Sequence, residues 1–393
     1  MGIQSRRVCL ASVAAIALSL GLTGAAIQAS DSVAVLNPSF QNGANGNNGY
    51  GPISGWTDNN AFSGTNGPGQ PFGLNTNFPD ANQVAFLQNG SAGTYSSISQ
   101  TVSGFTPGDQ YWVQVFYNAR QGYGSPGLQV SLWGQPIGGV SNIATNNPDY
   151  TLFNGTFTPT NTYGTITIGN SGSFAAVGDN TLLIDGISVI QRNPGQIVIA
   201  NPSFEGSTNE TWVFPGYLSN IAGWATTGNT GVNTGTGPFA DNGAIPDGSQ
   251  VGILQNNNTS AAQASMSQTL SGLTVGQTYQ LQFYYNARAN GGTSSAMTVT
   301  LGSSTLANNL TVTPVGGTNP YDLFTANYTA TSSTALLDVT NATAFGGTSP
   351  DNTLLVDNFS LAPTTTSTPE PASLALFGAS AMGLLLLKRR KTA

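Results

Sequence analysis

Two short runs of the sequence place an aromatic ring, a side-chain amide and a guanidinium at alternate positions. The first run contains Phe116, Asn118 and Arg120. The second run repeats the pattern with Tyr284, Asn286 and Arg288. Residues at i, i+2 and i+4 of a strand share one face, so each set can act together. A ring stacks on the apolar side of a sugar, and the amide and guanidinium bind hydroxyls or a uronate carboxylate. The pattern therefore predicts carbohydrate binding, with one alternative: each arginine pairs with a local carboxylate and orients loops.

Two aspartates, Asp185 and Asp357, stand inside apolar runs near the ends of the two repeats. An ionised carboxylate in such surroundings needs a partner that offsets its lost hydration. The sequence leaves two interpretations open, a bound cation or backbone N–H groups that donate to the carboxylate. Glycoside hydrolysis would need a pair of carboxylates in an open cleft. The acids that recur occur once per repeat, which is typical of an architectural role, so we expect no enzyme.

The composition excludes several kinds of chemistry. The chain has 393 residues, of which 39% are hydrophobic and only 6% are charged, and it contains no histidine. Without histidine there is no Ser-His-Asp nucleophile and no His-ligated zinc. The formal net charge of −7 repels the phosphates of nucleic acids, so nucleic acid is not an expected partner. The single cysteine, Cys9, lies in the N-terminal apolar run and cannot form a disulfide within the chain.

The N-terminus has the order of charges and apolar residues found in secretory signal peptides. Arg6 and Arg7 precede an apolar run, and small residues follow it. We therefore predict a signal peptide over residues 1–29, with cleavage near Ala29 or, as the alternative, near Ala26. The sequence leaves the Sec and twin-arginine export routes open.

The C-terminal segment, residues 364–393, predicts a membrane anchor. A Thr-rich spacer leads to an apolar run over residues 372–387, and the basic cluster Lys388–Lys391 follows it. Such a run is a short transmembrane helix whose basic end stays in the cytoplasm. The triplet Pro369, Glu370 and Pro371 stands directly before it, and this order resembles the PEP-CTERM sorting signal. The resemblance implies recognition and cleavage by an exosortase-type protease. An ordinary tail anchor is the alternative.

The region between the two ends consists of two copies of one domain. Asn37–Phe40 recurs as Asn201–Phe204, and Ile53–Trp56 recurs as Ile221–Trp224. Each copy consists of short alternating or β-branched runs separated by Gly, Asn, Pro and Ser clusters, which predicts strands and no helix. The prediction is an all-β chain with domain 1 over residues 30–192 and domain 2 over residues 193–363. Each of the two repeated tryptophans, Trp56 and Trp224, is expected either in the core or as a sugar-binding platform.

The order of these motifs resembles galactose-binding-like jelly rolls, which include several families of carbohydrate-binding modules. The resemblance implies two tandem β-sandwiches and a structural calcium ion between the first and last strands of each. An acid just after the Asn-Pro-Ser-Phe motif and an Asp near the final strand would bind it. Glu205 and Asp357 occupy these positions in domain 2, whereas domain 1 offers Asp185 with the neutral Gln41. Calcium is therefore expected more at Glu205 and Asp357 than at Asp185.

Together these features predict an exported, non-enzymatic bacterial protein. The C-terminal helix would anchor it in the membrane until processing releases it to the cell surface or extracellular matrix. Its expected partner is a polysaccharide, an exopolysaccharide or a cell-envelope glycan. The first alternative is a structural matrix or surface-layer component whose copies contact each other, and the second is a glycoside hydrolase. Assembly of copies would cover a sheet face, whereas glycan binding would leave aromatic rings exposed.

Overall fold

The computed structural model of the chain describes most of the two repeated domains. The described residues are 32–41, 49–59, 62–67, 72, 77–80, 83–89, 95–172, 179–193, 195–207, 220–234, 243–288, 294–313, 321–347 and 351–364. The predicted signal peptide, the Pro-Glu-Pro triplet and the predicted helix over residues 372–387 lie outside them. Within the described residues, no helix is long and apolar enough to cross a membrane.

Domain 1 is a sandwich of two antiparallel sheets. Its strands are β1 (Ser32–Val33), β2 (Gly49–Tyr50), β3 (Thr57–Asp58), β4 (Ser63–Asn66), β5 (Val84–Asn89), β6 (Ser97–Ser103), β7 (Gln110–Ala119), β8 (Leu128–Leu132), β9 (Gln135–Val140), β10 (Thr151–Phe157), β11 (Tyr163–Asn170) and β12 (Asn180–Arg192). The first sheet has the order β10-β7-β12-β5-β4-β2, and β1 also pairs with β12. The second sheet has the order β3-β6-β11-β8-β9.

Domain 2 repeats this architecture with the same strand order. Its strands are β13 (Ala225–Thr227), β14 (Asn229–Thr234), β15 (Gln250–Asn256), β16 (Ser265–Ser271), β17 (Thr278–Ala287), β18 (Ser295–Leu301), β19 (Ser304–Val312), β20 (Asp322–Thr329), β21 (Thr334–Asn341) and β22 (Asn352–Pro363). The sheets run β14-β15-β22-β17-β20 and β13-β16-β21-β18-β19. The predicted all-β class, two tandem jelly-roll sandwiches, is confirmed.

Alternation along the strands decides which side chains enter each core. In β7 the side chains of Tyr111, Val113 and Val115 point between the two sheets and are buried there. Successive strand residues point to opposite faces, so Gln114 and Phe116 lie on the outer face of the same sheet. Trp56 and Trp224 are both buried in their cores, as the core interpretation of these residues predicts.

The repeated Asn-Pro-Ser-Phe motif is a tight connection that joins the start of each domain to its core. Asn201 has a left-handed backbone (φ 47°), a conformation that asparagine tolerates better than most residues. Its Nδ2 donates to the carbonyl of Ala222 at 3.0 Å, and its own carbonyl accepts from Trp224 Nε1 at 3.2 Å. Asn37 makes the corresponding bonds in domain 1. The motif therefore recurs because the fold requires it twice.

The start of domain 2 packs against the outer face of the first sheet of domain 1. Phe116 on β7 forms a small apolar cluster with Ala200 and Ala222, and Tyr150 and Leu152 pack against it. Asn220 Nδ2 also donates to the carbonyl of Phe78 across the domain boundary at 3.1 Å. The two domains therefore contact each other head to tail, with the N-terminal edge of one on the sheet face of the other.

Candidate functional site

The predicted sugar-binding set of domain 1 lies on one face of β7, but that face is covered. Phe116 is only 8% exposed because Ala200 and Ala222 of domain 2 pack over it. Asn118 is buried, and its Nδ2 donates to the carbonyl of Asn147 at 3.0 Å. Its Oδ1 accepts the N–H of Ala119 at 2.7 Å. These contacts bury both side chains within the structure.

The corresponding set of domain 2 lies on β17, where no second domain of the described chain covers the ring. Tyr284 is partly exposed and packs at the edge of a small cluster that includes Tyr321 and Leu355. Asn286 is buried, and its Oδ1 accepts the N–H of Ala287 at 2.8 Å. A sugar-binding role for these six residues stays a prediction.

Both arginines of these sets pair with an acid of their own domain. Arg120 forms a salt bridge with Asp179, and its guanidinium also lies over the rings of Phe72 and Tyr123, 4.2 and 3.7 Å from their centroids. Arg288 pairs with Asp351 at 3.0 Å. The pairing that the sequence left open as an alternative is thus observed in both copies.

The aspartates of the final strands are fully buried beside a second acid. Asp185 Oδ2 accepts the backbone N–H of Asp80 at 3.1 Å, and Asp357 Oδ2 accepts that of Asp247 at 2.9 Å. Loss of hydration raises the pKa of Asp185 and of Asp357 well above the usual value for an aspartate. The neighbouring carboxylate of Asp80 or Asp247 raises it further. Both aspartates therefore favour the protonated form.

Glu205 shows how the two copies differ at the predicted calcium positions. Its Oε1 accepts the N–H groups of Ser249 and Gln250, both at 2.8 Å, and its Oε2 accepts the Ser249 hydroxyl at 2.9 Å. Burial nevertheless raises the pKa of Glu205 to about 7. Gln41 instead donates from Nε2 to the carbonyls of Ser39 and Gln83. The described residues include no group of three or more acidic, His or Cys side chains placed to hold a metal. Calcium at Glu205, Asp357 and Asp185 stays a prediction.

A cleft of about 430 Å³ separates the two domains beside Phe116. Besides Phe116, its lining includes the aromatic residues Phe78, Tyr150 and Trp224. Phe78 and Trp224 are buried, and the hydrogen bond from Asn220 to Phe78 joins the two domains at the cleft. The cleft is therefore part of the domain contact.

A second concave surface lies on the outer face of the second sheet of domain 1. It is a groove of about 520 Å³ that crosses β6, β11 and β8. Tyr95, immediately before β6, is 53% exposed and stands at the groove. The accessible polar groups are the hydroxyls of Ser97, Ser131, Thr167 and Ser171 and the amide of Gln129. The lining also includes glycines at 134 and 169 and the buried residues Ser96 and Asn170.

Strand alternation explains this chemistry. Ile98, Val130 and Ile168 point into the core, so their neighbours Ser97, Gln129 and Thr167 must point outward. The ladders β6-β11 and β11-β8 then place the outward residues side by side. The groove therefore combines an aromatic ring with hydroxyl and amide groups. The described lining residues include no charged side chain, and this combination suits a neutral sugar.

The sequence prediction missed this groove because its aromatic residue lies in a loop and is not repeated. The sequence signal that could have indicated the groove is the set of polar residues that alternate with apolar ones in β6, β8 and β11. That signal gains meaning only once the three strands are known to be neighbours. In domain 2 the same face differs: Gln263 replaces Tyr95, and Asp338, which pairs with Ser267 as Thr167 pairs with Ser99, brings a charge.

Comparison with known protein families returned two matches. The profile of the family described as HpiC1 cyclase matches residues 31–181 and again residues 195–340. The PEP-CTERM protein-sorting motif matches residues 367–391. A search of curated proteins found no match.

Several solved structures are similar to the chain. The tandem CBM22-1-CBM22-2 domain of Paenibacillus barcinonensis Xyn10C has a TM-score of 0.28 and 12% identity, and the alignment covers 86% of this chain and all of that one. The TmCBM61 module in complex with β-1,4-galactotriose has a TM-score of 0.25 and 16% identity, with 42% and 98% coverage. The Clostridium thermocellum Xyn10B CBM22-1-GH10 modules complexed with xylohexaose have a TM-score of 0.28 and 11% identity, with 43% and 29% coverage.

Proposed function

The chain belongs to the HpiC1-like family, whose profile covers both of its domains, and from this premise we propose that it is an exported surface protein that binds a neutral polysaccharide. The proposed binding site is the groove of domain 1 beside Tyr95. The match of the C-terminus to the PEP-CTERM motif supports export and sorting at the membrane. Release to the surface or matrix by an exosortase-type protease belongs to the same proposal.

The observation that carries this proposal is the pairing of an exposed ring with a groove that is lined by hydroxyls and by the amide of Gln129. The volume of about 520 Å³ lies in the range of small-ligand sites, which is about 300–1,000 Å³. Tyr95 can stack on a pyranose ring, while Gln129 and Thr167 can exchange hydrogen bonds with its hydroxyls. Gln129 and Thr167 lie on strands, which hold side chains more precisely than loops do, whereas Tyr95 lies just before β6.

The family carries the name of a cyclase, and an enzyme of any kind would need a reactive group that its substrate can touch. The strongest acid–base candidates by pKa are Asp185 and Asp357, and both are fully buried. Neither lines the groove or the cleft between the domains. A glycosidase likewise needs two carboxylates that face an open cleft. These positions favour binding over catalysis.

The direct test is the binding of the purified protein to immobilised neutral and acidic polysaccharides, measured by affinity electrophoresis and calorimetry. We expect saturable binding to one neutral glycan, weaker binding to polyuronates, and no need for calcium. Tyr95→Ala should weaken binding about tenfold, because ring stacking contributes roughly 0.5–1.5 kcal/mol beyond the area that the ring buries.

Tyr163→Ala is the matched control, because Tyr163 is 57% exposed on the same sheet and does not line the groove. It should bind as the unchanged protein does. If both variants bind equally well, the groove is not the site. Loss of binding in Tyr284→Ala alone would instead assign the site to β17 of domain 2.

Sorting is tested separately by mass spectrometry of the C-terminus of the mature protein. Cleavage near Pro369–Pro371 would support exosortase-type processing and release. A chain that keeps residues 372–393 at the cell surface would indicate a permanent membrane anchor.

A further inference from the structure

One end of the domain 1 sandwich carries four exposed aromatic side chains. Their exposed fractions are 49% for Tyr50, 39% for Phe62, 53% for Tyr95 and 45% for Tyr123. In the described part of domain 2 only one aromatic side chain, that of Phe345, is comparably exposed. Exposed apolar side chains that lie together mark binding surfaces, whereas single ones are common on any protein.

A row of polar residues at this end connects Tyr50 to Tyr123. The hydroxyl of Tyr50 donates to Gln88 Oε1. Gln88 on β5 pairs with Thr181 on β12, and the N–H of Arg120 donates to the carbonyl of Thr181 at 3.1 Å. The guanidinium of Arg120 lies over the ring of Tyr123. Neighbouring strands are about 4.8 Å apart, so this polar row of Gln88, Thr181 and Arg120 is about 10 Å long.

Neighbouring side chains hold both tyrosine rings. Tyr50 packs edge-on against Phe86, with 4.9 Å between the ring centroids. The centroid of the Tyr123 ring is 3.7 Å from Arg120 Cζ, and a salt bridge with Asp179 fixes this guanidinium in turn. A ring that is already held loses little conformational entropy when a sugar stacks on it.

The end of β5 connects the polar row to the groove on the other sheet. The N–H of Gln88 donates to the carbonyl of Phe62 at 2.9 Å. Asn89, the next residue, accepts the N–H of Ser96 on its Oδ1 at 2.9 Å, and Ser96 lines the groove directly after Tyr95. Phe62 therefore stands between the row and the groove. We call the four exposed rings, those of Tyr123, Tyr50, Phe62 and Tyr95, the aromatic strip.

Domain 2 keeps the polar row but lacks three of the four rings. Gln255 pairs with Thr353, and the N–H of Arg288 donates to the carbonyl of Thr353 at 3.1 Å. The row therefore belongs to the fold of both domains, and the rings are an addition of domain 1. The positions of Phe62, Tyr95 and Tyr123 are taken in domain 2 by Asn229, Gln263 and Gly291.

From these contacts we propose that the aromatic strip binds one long neutral polysaccharide chain, with the groove beside Tyr95 as one subsite and the rings of Tyr50 and Tyr123 as a second. This inference rests on the proposed function and extends it. The second subsite, like the groove, favours an uncharged sugar, because Arg120 and Asp179 neutralise each other.

The dimensions of the strip determine the length of glycan that it takes. The polar row is about 10 Å long, and the two sheets of a sandwich lie about 10 Å apart, so a chain that reaches both subsites spans on the order of 20 Å. A monosaccharide or disaccharide fills one subsite only. Once a longer chain is held in the groove, its contact with the second subsite is intramolecular, so affinity should rise with chain length.

Calorimetry with oligosaccharides of increasing length tests the inference. The probes are size fractions from a partial hydrolysate of the neutral polysaccharide that binds the unchanged protein. We expect the longest fractions to bind about tenfold tighter than the shortest ones. Tyr123→Ala and Tyr50→Ala should each remove most of this gain and leave the affinity for the shortest fractions unchanged. Tyr50→Phe, which keeps the ring, should retain the gain.

Two further variants serve as references. Tyr95→Ala should weaken the binding of every fraction, because the groove subsite is used at all lengths. Tyr163→Ala should bind every fraction as the unchanged protein does. Tyr163 is 57% exposed, but it pairs with Ser103 at the far end of β6 from Tyr95.

The outcomes separate this inference from the proposed function. A gain with chain length that persists in both Tyr50→Ala and Tyr123→Ala overturns the second subsite and leaves glycan binding in the groove intact. Equal weakening of all fractions in Tyr123→Ala also overturns it, because the ring then does not act as a separate subsite. A protein that binds no polysaccharide overturns both proposals.

Nitration of tyrosines by tetranitromethane gives a second readout that needs no substitution. With the polysaccharide bound, Tyr50, Tyr95 and Tyr123 should lose most of their reactivity, as measured by peptide mass spectrometry, and Tyr163 should react as before. Protection of Tyr95 alone would confine the glycan to the groove and overturn the inference.

Discussion

The two domains share their strand order and their repeated motifs, yet they use the outer face of the first sheet differently. In domain 1 the amide of Gln114 holds the backbone of residues 199–201, and Phe116 is covered. In domain 2 the amide oxygen of Gln282 has no partner, and Leu323 is exposed. The positions that maintain each sandwich correspond in the two copies, although their apolar residues differ, as Val115 and Phe283 do. Among the described residues, only the outer face of domain 1 packs against the other domain.

The largest expected difference between the copies concerns these two glutamines. Gln114→Leu leaves the carbonyl of Ile199 and the N–H of Asn201 unpaired, so the free energy of unfolding should fall by about 2–4 kcal/mol. Gln282→Leu should change it by less than about 1 kcal/mol, because Gln282 Oε1 has no partner to lose and the bond from Nε2 to Thr325 Oγ1 is long, at 3.4 Å. Urea unfolding followed by tryptophan fluorescence measures both. Equal losses would show that the two faces are equivalent.

A second pair of substitutions probes the closeness of the domain contact. Gly186 has φ +55°, and an added Cβ would meet both Phe116 and Ala222. Gly186→Ala should therefore lower the free energy of unfolding by about 1–3 kcal/mol. Asn358→Ala, at the equivalent position with φ 53°, should cost no more than about 1 kcal/mol. Calorimetric melting of the two variants gives the comparison, and a silent Gly186→Ala would mean that the domains do not pack closely in solution.

The pH dependence of stability should differ between the domains. The pKa of Glu205 is about 7 in the folded protein against an ordinary 4.5, so between these values the folded state binds more protons than the unfolded state. The free energy of unfolding therefore falls as the pH rises from about 4.5 to about 7. Asp357 acts in the same direction, because burial also raises its pKa.

Glu205→Gln gives domain 2 the neutral side chain that Gln41 provides in domain 1. In the presence of a chelator it should reduce the loss of stability between pH 5 and pH 8 by about 1–2 kcal/mol, measured by denaturant titrations at each pH. The same variant tests calcium. Added calcium at pH 8 should raise the melting temperature of the unchanged protein and have little effect on Glu205→Gln. If calcium changes the melting temperature of neither protein, the role of Glu205 is limited to its hydrogen bonds.

The smallest expected difference in stability is the one between replacing Arg120 and replacing Arg288. Arg120 pairs with Asp179 and stacks on two rings, whereas Arg288 pairs with the more exposed Asp351. Arg120→Ala should cost about 1–2 kcal/mol and Arg288→Ala less than about 1 kcal/mol, because exposed ion pairs contribute little. Thermal melting in low and high salt measures both effects. A larger loss in Arg288→Ala would reverse the ranking.

Much of the architecture could be predicted from short-range patterns. The alternation of Tyr111, Val113 and Val115 correctly identified the core face of β7, because successive strand residues point to opposite sides. The recurrence of Asn-Pro-Ser-Phe identified two copies of one domain. The candidate groove was not predicted, since Tyr95, Gln129 and Thr167 are far apart in sequence and become neighbours only through the β6-β11-β8 ladders.

The sequence by itself determined the all-β class, the duplication and the C-terminal sorting motif, because each depends on residue types at fixed short spacings. Only the tertiary structure decided which groups the polar side chains on the outer strand faces contact. Gln114 and Gln282 stand in similar local sequences, yet one amide is saturated by a segment 85 residues away and the other has an unpaired oxygen. A side-chain amide binds water, a sugar or a backbone with the same atoms, so its partner is set by what the fold brings to it.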